Sequence, residues 1–138
     1  MRRTLCRWAC PVFSGLLLFL LAACVADQLP LTTTIDVQIT PGNCRPIEWR
    51  VPAGQVISLK ISNKASVAYT WIFMGRPVTP PFDAADAANV FFSRQVAAGA
   101  SATDHFTTPA AAGEYQLICS PADHSGEEQA GRITVVQP

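Results

Sequence analysis

Residues 113–136 read GEYQLICSPADHSGEEQAGRITVV, and the reading of this stretch decides the fold. A strand-like run ends at Cys119, a loop carries His124 and Gln129, and a second strand-like run begins at Arg132. The loop thus brings a thiolate donor, an imidazole after four intervening residues, and a side-chain amide after four more. A copper ion held by sulfur and nitrogen needs its donors to converge, and a short loop between two strands orders them at small cost in chain entropy. Cys119, His124 and Gln129 are therefore candidate metal ligands, offering a thiolate, one imidazole and a weak axial oxygen.

Upstream, the chain reads as β structure throughout. With those two, eight runs alternate or are rich in β-branched residues: Thr34 to Thr40, Pro46 to Val51, Val56 to Ser62, Tyr69 to Met74, Val90 to Val96, Ala102 to Thr107, Glu114 to Cys119 and Arg132 to Val136. Ile35, Val37 and Ile39 share one face of the first run. Ile57, Leu59 and Ile61 do the same in the third, with Ser58 and Lys60 opposite, so each strand has one buried and one wet face. Pro41-Gly42, Pro52-Ala53-Gly54, Asn63-Lys64 and Ala98-Gly99 supply turns. A helical turn is expected only within Pro81 to Asn89. About eight short strands in some hundred residues predict an all-β fold, a two-sheet Greek-key sandwich.

The chain begins differently. Arg2, Arg3 and Arg7 precede an apolar run, Val12 to Ala23, ending in Leu21-Ala22-Ala23-Cys24. A basic start, a short apolar stretch and small residues before the cut describe a secretory signal. The Cys directly after Leu-Ala-Ala makes it a bacterial lipoprotein signal, with Cys24 the lipidated first residue of the mature chain. The expected organisation is a signal peptide over residues 1–23, a lipid-anchored tether over 24–33 and one domain over 34–138. Cys6 and Cys10 leave with the signal.

The mature part carries seven basic and ten acidic residues, a net charge of about −3, and no basic stripe. Nucleic acid is excluded as a partner. The expected location is extracytoplasmic, with the membrane engaged through Cys24. No Ser-His-Asp arrangement, zinc-protease helix or phosphate-binding glycine loop is present, and Glu127 and Glu128 are adjacent rather than facing across a cleft, so no enzyme is expected.

Gly113, Tyr115, Cys119, His124, Gln129, Gly131, Ile133 and Val135 together resemble the C-terminal signature of cupredoxins, the plastocyanin, azurin and phytocyanin family of small copper proteins. There a G-x-Y strand leads to C-x(2-4)-H-x(3-4)-M or Q and then G-x-(I/L)-x-V. The N-terminal half resembles the family as well, through Ile47, Val51, Ala53, Gly54, Ile57, Leu59, Ile61 and Asn63. Six residues after that Asn the family places its first copper-ligating histidine; this chain has Tyr69. A phenol is a hard oxygen donor, poorly matched to cuprous ion, and a rim or core packing role is expected for Tyr69. The other histidine, His105, is predicted to be a surface residue lying roughly 10 Å below Cys119.

In this resemblance Cys44 falls where related proteins carry an apolar residue directed at the copper-bearing end. Cys44 and Cys119 are the only unlipidated cysteines of the mature part, and an oxidising compartment favours a disulfide between them. That bond would consume the thiolate a metal needs. Two function classes follow. One is a metal-free, disulfide-stapled binding or accessory module. The other is a copper protein, passing electrons or holding and delivering copper to a redox or copper-handling partner, with Cys119, His124 and Gln129 as ligands and Cys44, Tyr69 or an exogenous group in the fourth position. The first is the leading expectation.

Overall fold

The computed structural model describes residues 28–79, 81–123 and 126–138. The expected signal peptide, Cys24 and His124 lie outside the described residues. Nine strands are present among the described residues: β1 (Thr34–Thr40), β2 (Asn43–Arg45), β3 (Glu48–Pro52), β4 (Val56–Asn63), β5 (Tyr69–Met74), β6 (Val90–Val96), β7 (Ser101–Thr107), β8 (Gly113–Pro121) and β9 (Gln129–Val136). They form two sheets, ordered β2-β1-β4-β7 and β3-β9-β8-β5-β6. β1 runs parallel to β4 and β3 parallel to β9; the other pairs are antiparallel.

The alternation legible in the sequence is what the two sheets bury. Ile35, Val37 and Ile39 of β1 and Ile57, Leu59 and Ile61 of β4 face Trp71, Phe73, Leu117, Ile133 and Val135 from the other sheet. Each such side chain contributes roughly 1.5–3 kcal/mol by leaving water. Trp71 and Phe73 contact Phe106 edge-on or tilted at centroid distances of 6.1 and 5.7 Å, which ties β5 to β7 across the sandwich.

β5 is buried on both faces over Trp71 to Met74. Ile72 and Met74 point outward with Ile118, and the long β5–β6 connection packs Val78 and Phe82 against them, joined by Val90 at the start of β6. Gln116 pins this strap, its amide accepting from Val78 N at 2.6 Å and donating to Val78 O at 2.9 Å. The strap ends in a 3-10 helix, Ala84–Asn89, capped by Asp83 and Asp86 through reciprocal bonds; this is the helical turn expected there.

The expected strand boundaries hold within a residue or two, except that the run expected from Arg132 begins three residues earlier, at Gln129, as β9, because it pairs from Gln129 with Cys119; two further differences concern β2 and the start of β3. β2 was not anticipated: three residues between Pro41-Gly42 and Pro46 are too few to display a period. The run expected from Pro46 begins as β3 only at Glu48, because Pro46 and Ile47 carry the chain from the first sheet to the second.

Candidate functional site

The ends of β1, β4, β6 and β8 and the starts of β2, β3, β5, β7 and β9 lie at one end of the sandwich. Cys119 and Gln129 are directly opposed there in the β8–β9 ladder, and Trp71 opposes Cys119 on its other side. Cys44 comes from β2 in the other sheet, held by its pairing with Ile39. Cys44 and Cys119 are joined by a disulfide with a Cα–Cα distance of 6.5 Å, closing a separation of 75 residues. Both are buried.

Gln129 does not face an open coordination position. Its Oε1 accepts from the Cys44 backbone N–H at 2.5 Å, and its Nε2 reaches Asn43 Oδ1 at 3.4 Å. The side chain thereby ties β9 to β2 next to the disulfide. β9 also approaches the chain entering β3 closely: a Cβ on Gly131 would lie 2.0 Å from Ile47 O, and Arg132 N donates to that same oxygen at 2.8 Å. Only glycine admits this contact.

Tyr69 heads β5 with 4% of its surface exposed, and its hydroxyl accepts from Gly42 N at 3.1 Å. It thus holds the β1–β2 turn rather than an open position. Asn63, buried at the end of β4, organises the adjoining loops: Nδ2 donates to Val67, Val96 and Ala97 carbonyls at 2.9–3.1 Å, and Oδ1 accepts from Ala65 N at 2.9 Å. His105 is exposed, as expected, and pairs with Ser58. Its strand belongs to the sheet opposite Cys119, so the two are separated by the sandwich as well as by height. Glu128 accepts from Phe82 N at 2.7 Å and from Ser120 Oγ at 3.1 Å, which commits its carboxylate to holding the strap.

The structure therefore brings together Cys44, Cys119, Gln129 and Tyr69, while His124 lies outside the described residues. Their chemistry does not fit a copper ion. A disulfide sulfur is not a thiolate, the Gln129 oxygen is taken by a main-chain donor, and the Tyr69 oxygen already accepts from Gly42. Among the described residues, no group of three or more His, Cys, Asp or Glu side chains is placed to hold a metal. Sequence reading missed the role of Gln129 because its partner is a backbone N–H 85 positions away, which leaves no local signal. It also missed a groove of about 850 Å³ beside the disulfide, lined in part by Cys44, Ile47, Glu48, Gln129 and Leu29.

No family model matches the sequence, and no curated protein matches it. Solved structures do. The dithionite-reduced auracyanin of the photosynthetic bacterium Roseiflexus castenholzii superposes with a TM-score of 0.60 at 25% identity, over 78% of this chain and 99% of that one. Auracyanin A of Chloroflexus aurantiacus, a "blue" copper protein, gives 0.60 at 21% identity over 78% and 100%. Auracyanin B gives 0.58 at 23% identity over 81% and 93%. The fold is cupredoxin-like, and the likeness spans nearly all of each of these proteins.

Proposed function

We propose that this chain is an extracytoplasmic, lipid-anchored protein of cupredoxin-like fold that works without a metal, as a binding or accessory module stapled by Cys44–Cys119. The observation that carries this reading is the disulfide, which occupies the sulfur that copper would need. The hydrogen bond from Cys44 N to Gln129 supports it, since the candidate axial ligand is turned to the backbone of the second cysteine. In this reading the protein is not an enzyme. Its anchor is Cys24, and its place is the outer side of the membrane that carries that anchor.

The test is a free-thiol count on the domain from Gln28 onward, purified from an oxidising compartment, alongside cupric and cuprous titrations. No free thiol and no copper uptake is the expected result. Two free thiols with stoichiometric copper uptake, abolished by His124→Ala, would overturn the proposal in favour of a copper protein that transfers electrons or delivers copper to a partner.

A further inference from the structure

The first sheet has a stretch of edge with no strand beside it. Along β1 the main chain alternates in direction: Thr33 O accepts from Ser58 N at 2.9 Å and Ile39 O from Lys64 N at 2.7 Å. The odd-numbered residues therefore bond to β4, while Thr34, Asp36 and Gln38 turn the other way. On that side Gln38 pairs with Arg45 of β2. Thr34 is served by its own neighbour, its N–H donating to Thr32 Oγ1 at 3.0 Å and its carbonyl accepting from the same hydroxyl at 2.9 Å. Between them stands Asp36. Continued in register, β2 would place Ile47 opposite it, but the chain leaves at Pro46, and Ile47 O is bonded to Arg132 N in the second sheet. The N–H and C=O of Asp36 thus open onto the groove of about 850 Å³, whose walls include Leu29, Arg45, Pro46, Ile47 and Glu48.

We infer that this groove takes an extended peptide segment as an added strand on β1, antiparallel to it and in line with β2, with a Lys or Arg opposite Asp36 and an apolar residue on either side. The inference rests on the binding-module reading and names the ligand class of that module. An open strand edge beside a groove is the setting in which main-chain hydrogen bonds hold a peptide and alternate side chains select it.

The selection follows from the register. A residue paired with Asp36 shares its outward face, and cross-strand neighbours of opposite charge attract. The Asp36 carboxylate is exposed and, among the described residues, has neither a hydrogen bond nor an ion pair, whereas Glu48 on the far wall shares Arg132 with Glu114. The flanking residues of the ligand turn inward, toward Pro46, the half-buried Ile47 and Leu29, which is 43% exposed. From Thr34 to Gln38 the edge rises by about 13 Å, so the paired part of the ligand is about three residues long.

The chain from residue 24 onward, with Cys24→Ser so that no lipid is attached, is labelled with nitrogen-15 and titrated with acetyl-Thr-Val-Lys-Val-Thr-amide. The expected result is a saturable shift of the Asp36, Arg45 and Ile47 amides. The same peptide with Glu in place of Lys should bind about threefold or more weaker, and Asp36→Lys, an exposed substitution, should reverse that preference. N-methylation of the peptide's Lys, which removes a donor to Asp36 O without touching the protein, should weaken binding about fivefold. No shift at Asp36 at millimolar peptide, shifts confined to the β6 or β7 edge, or a preference that ignores Asp36→Lys would overturn the proposal. An Asp36 amide that moves with protein concentration alone would assign the edge to a second copy, and binding seen only after residues 24–27 are removed would assign it to the chain's own N-terminal segment; either overturns the peptide partner. A thiol count and copper titration on the same sample separate the two readings: no free thiol with no peptide bound strikes this inference alone, whereas free thiols with copper uptake strike the metal-free module itself.

Discussion

Replacing both cysteines, Cys44→Ala/Cys119→Ala, removes a crosslink that spans 75 residues. In the loop-entropy model a loop of that length constrains the unfolded chain by about 4.5 kcal/mol at 25 °C. The folded state loses little else, because the Gln129 bond to position 44 uses the backbone N–H and survives the substitution. A domain of this size has a total stability of about 5–15 kcal/mol, so the loss is a large fraction of the whole. With a urea m-value of about 1.5 kcal/mol per molar, the midpoint falls by about 3 M. The m-value itself rises, since the uncrosslinked unfolded chain exposes more surface. Urea titration followed by tryptophan emission and far-ultraviolet circular dichroism measures both quantities. A midpoint shift corresponding to less than about 1 kcal/mol, with m unchanged, would refute the reasoning, because it would mean that the crosslink does not constrain the chain in solution.

Asn63→Ala removes the side-chain donor from the Val67, Val96 and Ala97 carbonyls, of which Ala97 O keeps the Ala100 N–H, and strands the Ala65 N–H, and should cost roughly 1–3 kcal/mol in urea unfolding, with faster hydrogen exchange at Ala65; a change of a few tenths would show that water replaces the side chain. Gly131→Ala drives a methyl into Ile47 O and should destabilise by about 3 kcal/mol or more, read as a drop in thermal midpoint, whereas near-neutral behaviour would mean that β3 can move away from β9 freely. Tyr69→His, which places an imidazole where the resemblance expects one, should leave copper unbound as long as Cys119 remains bridged; stoichiometric copper uptake by this single variant would contradict the assignment of the sulfur to the staple. Tyr69→Phe should cost about 1 kcal/mol through the lost acceptor for Gly42 N–H, and an unchanged midpoint would show that the bond carries no net stability.

The sheets were legible because the chain advertises them at short range. In β1 and β4 every second residue is a branched apolar one, and a period of two needs only six or seven residues to be seen. β5 was legible as a strand, while its burial on both faces was not, because nothing within Tyr69 to Met74 says that residues 75–89 return to cover Ile72 and Met74. The 3-10 turn was legible through its Pro-flanked, alanine-rich sequence, which its Asp83 cap then stabilises. At the site, the cysteine pair could be named from compartment and count alone, but the competition between staple and metal could not be decided from one sequence. What favours the staple is spatial: β2 lies opposite Cys119 by virtue of its pairing to β1, and Gln129 turns toward β2 because Asn43 and Cys44 offer it an acceptor and a donor side by side.

The magnitudes of the two possible contributions at Cys119 can be compared directly. A bound ion stabilises only in proportion to its supply, by about 4.1 kcal/mol when its free concentration is a thousand times its Kd, and by nothing when it is absent. A crosslink over 75 residues contributes about 4.5 kcal/mol regardless of supply. At Cys119 the two contributions exclude each other, since one sulfur cannot be both thiolate and half of a disulfide. With the sulfur bridged, the Gln129 carbonyl oxygen accepts from the Cys44 N–H, where it keeps β2 against β9 beside the buried bond between the sheets.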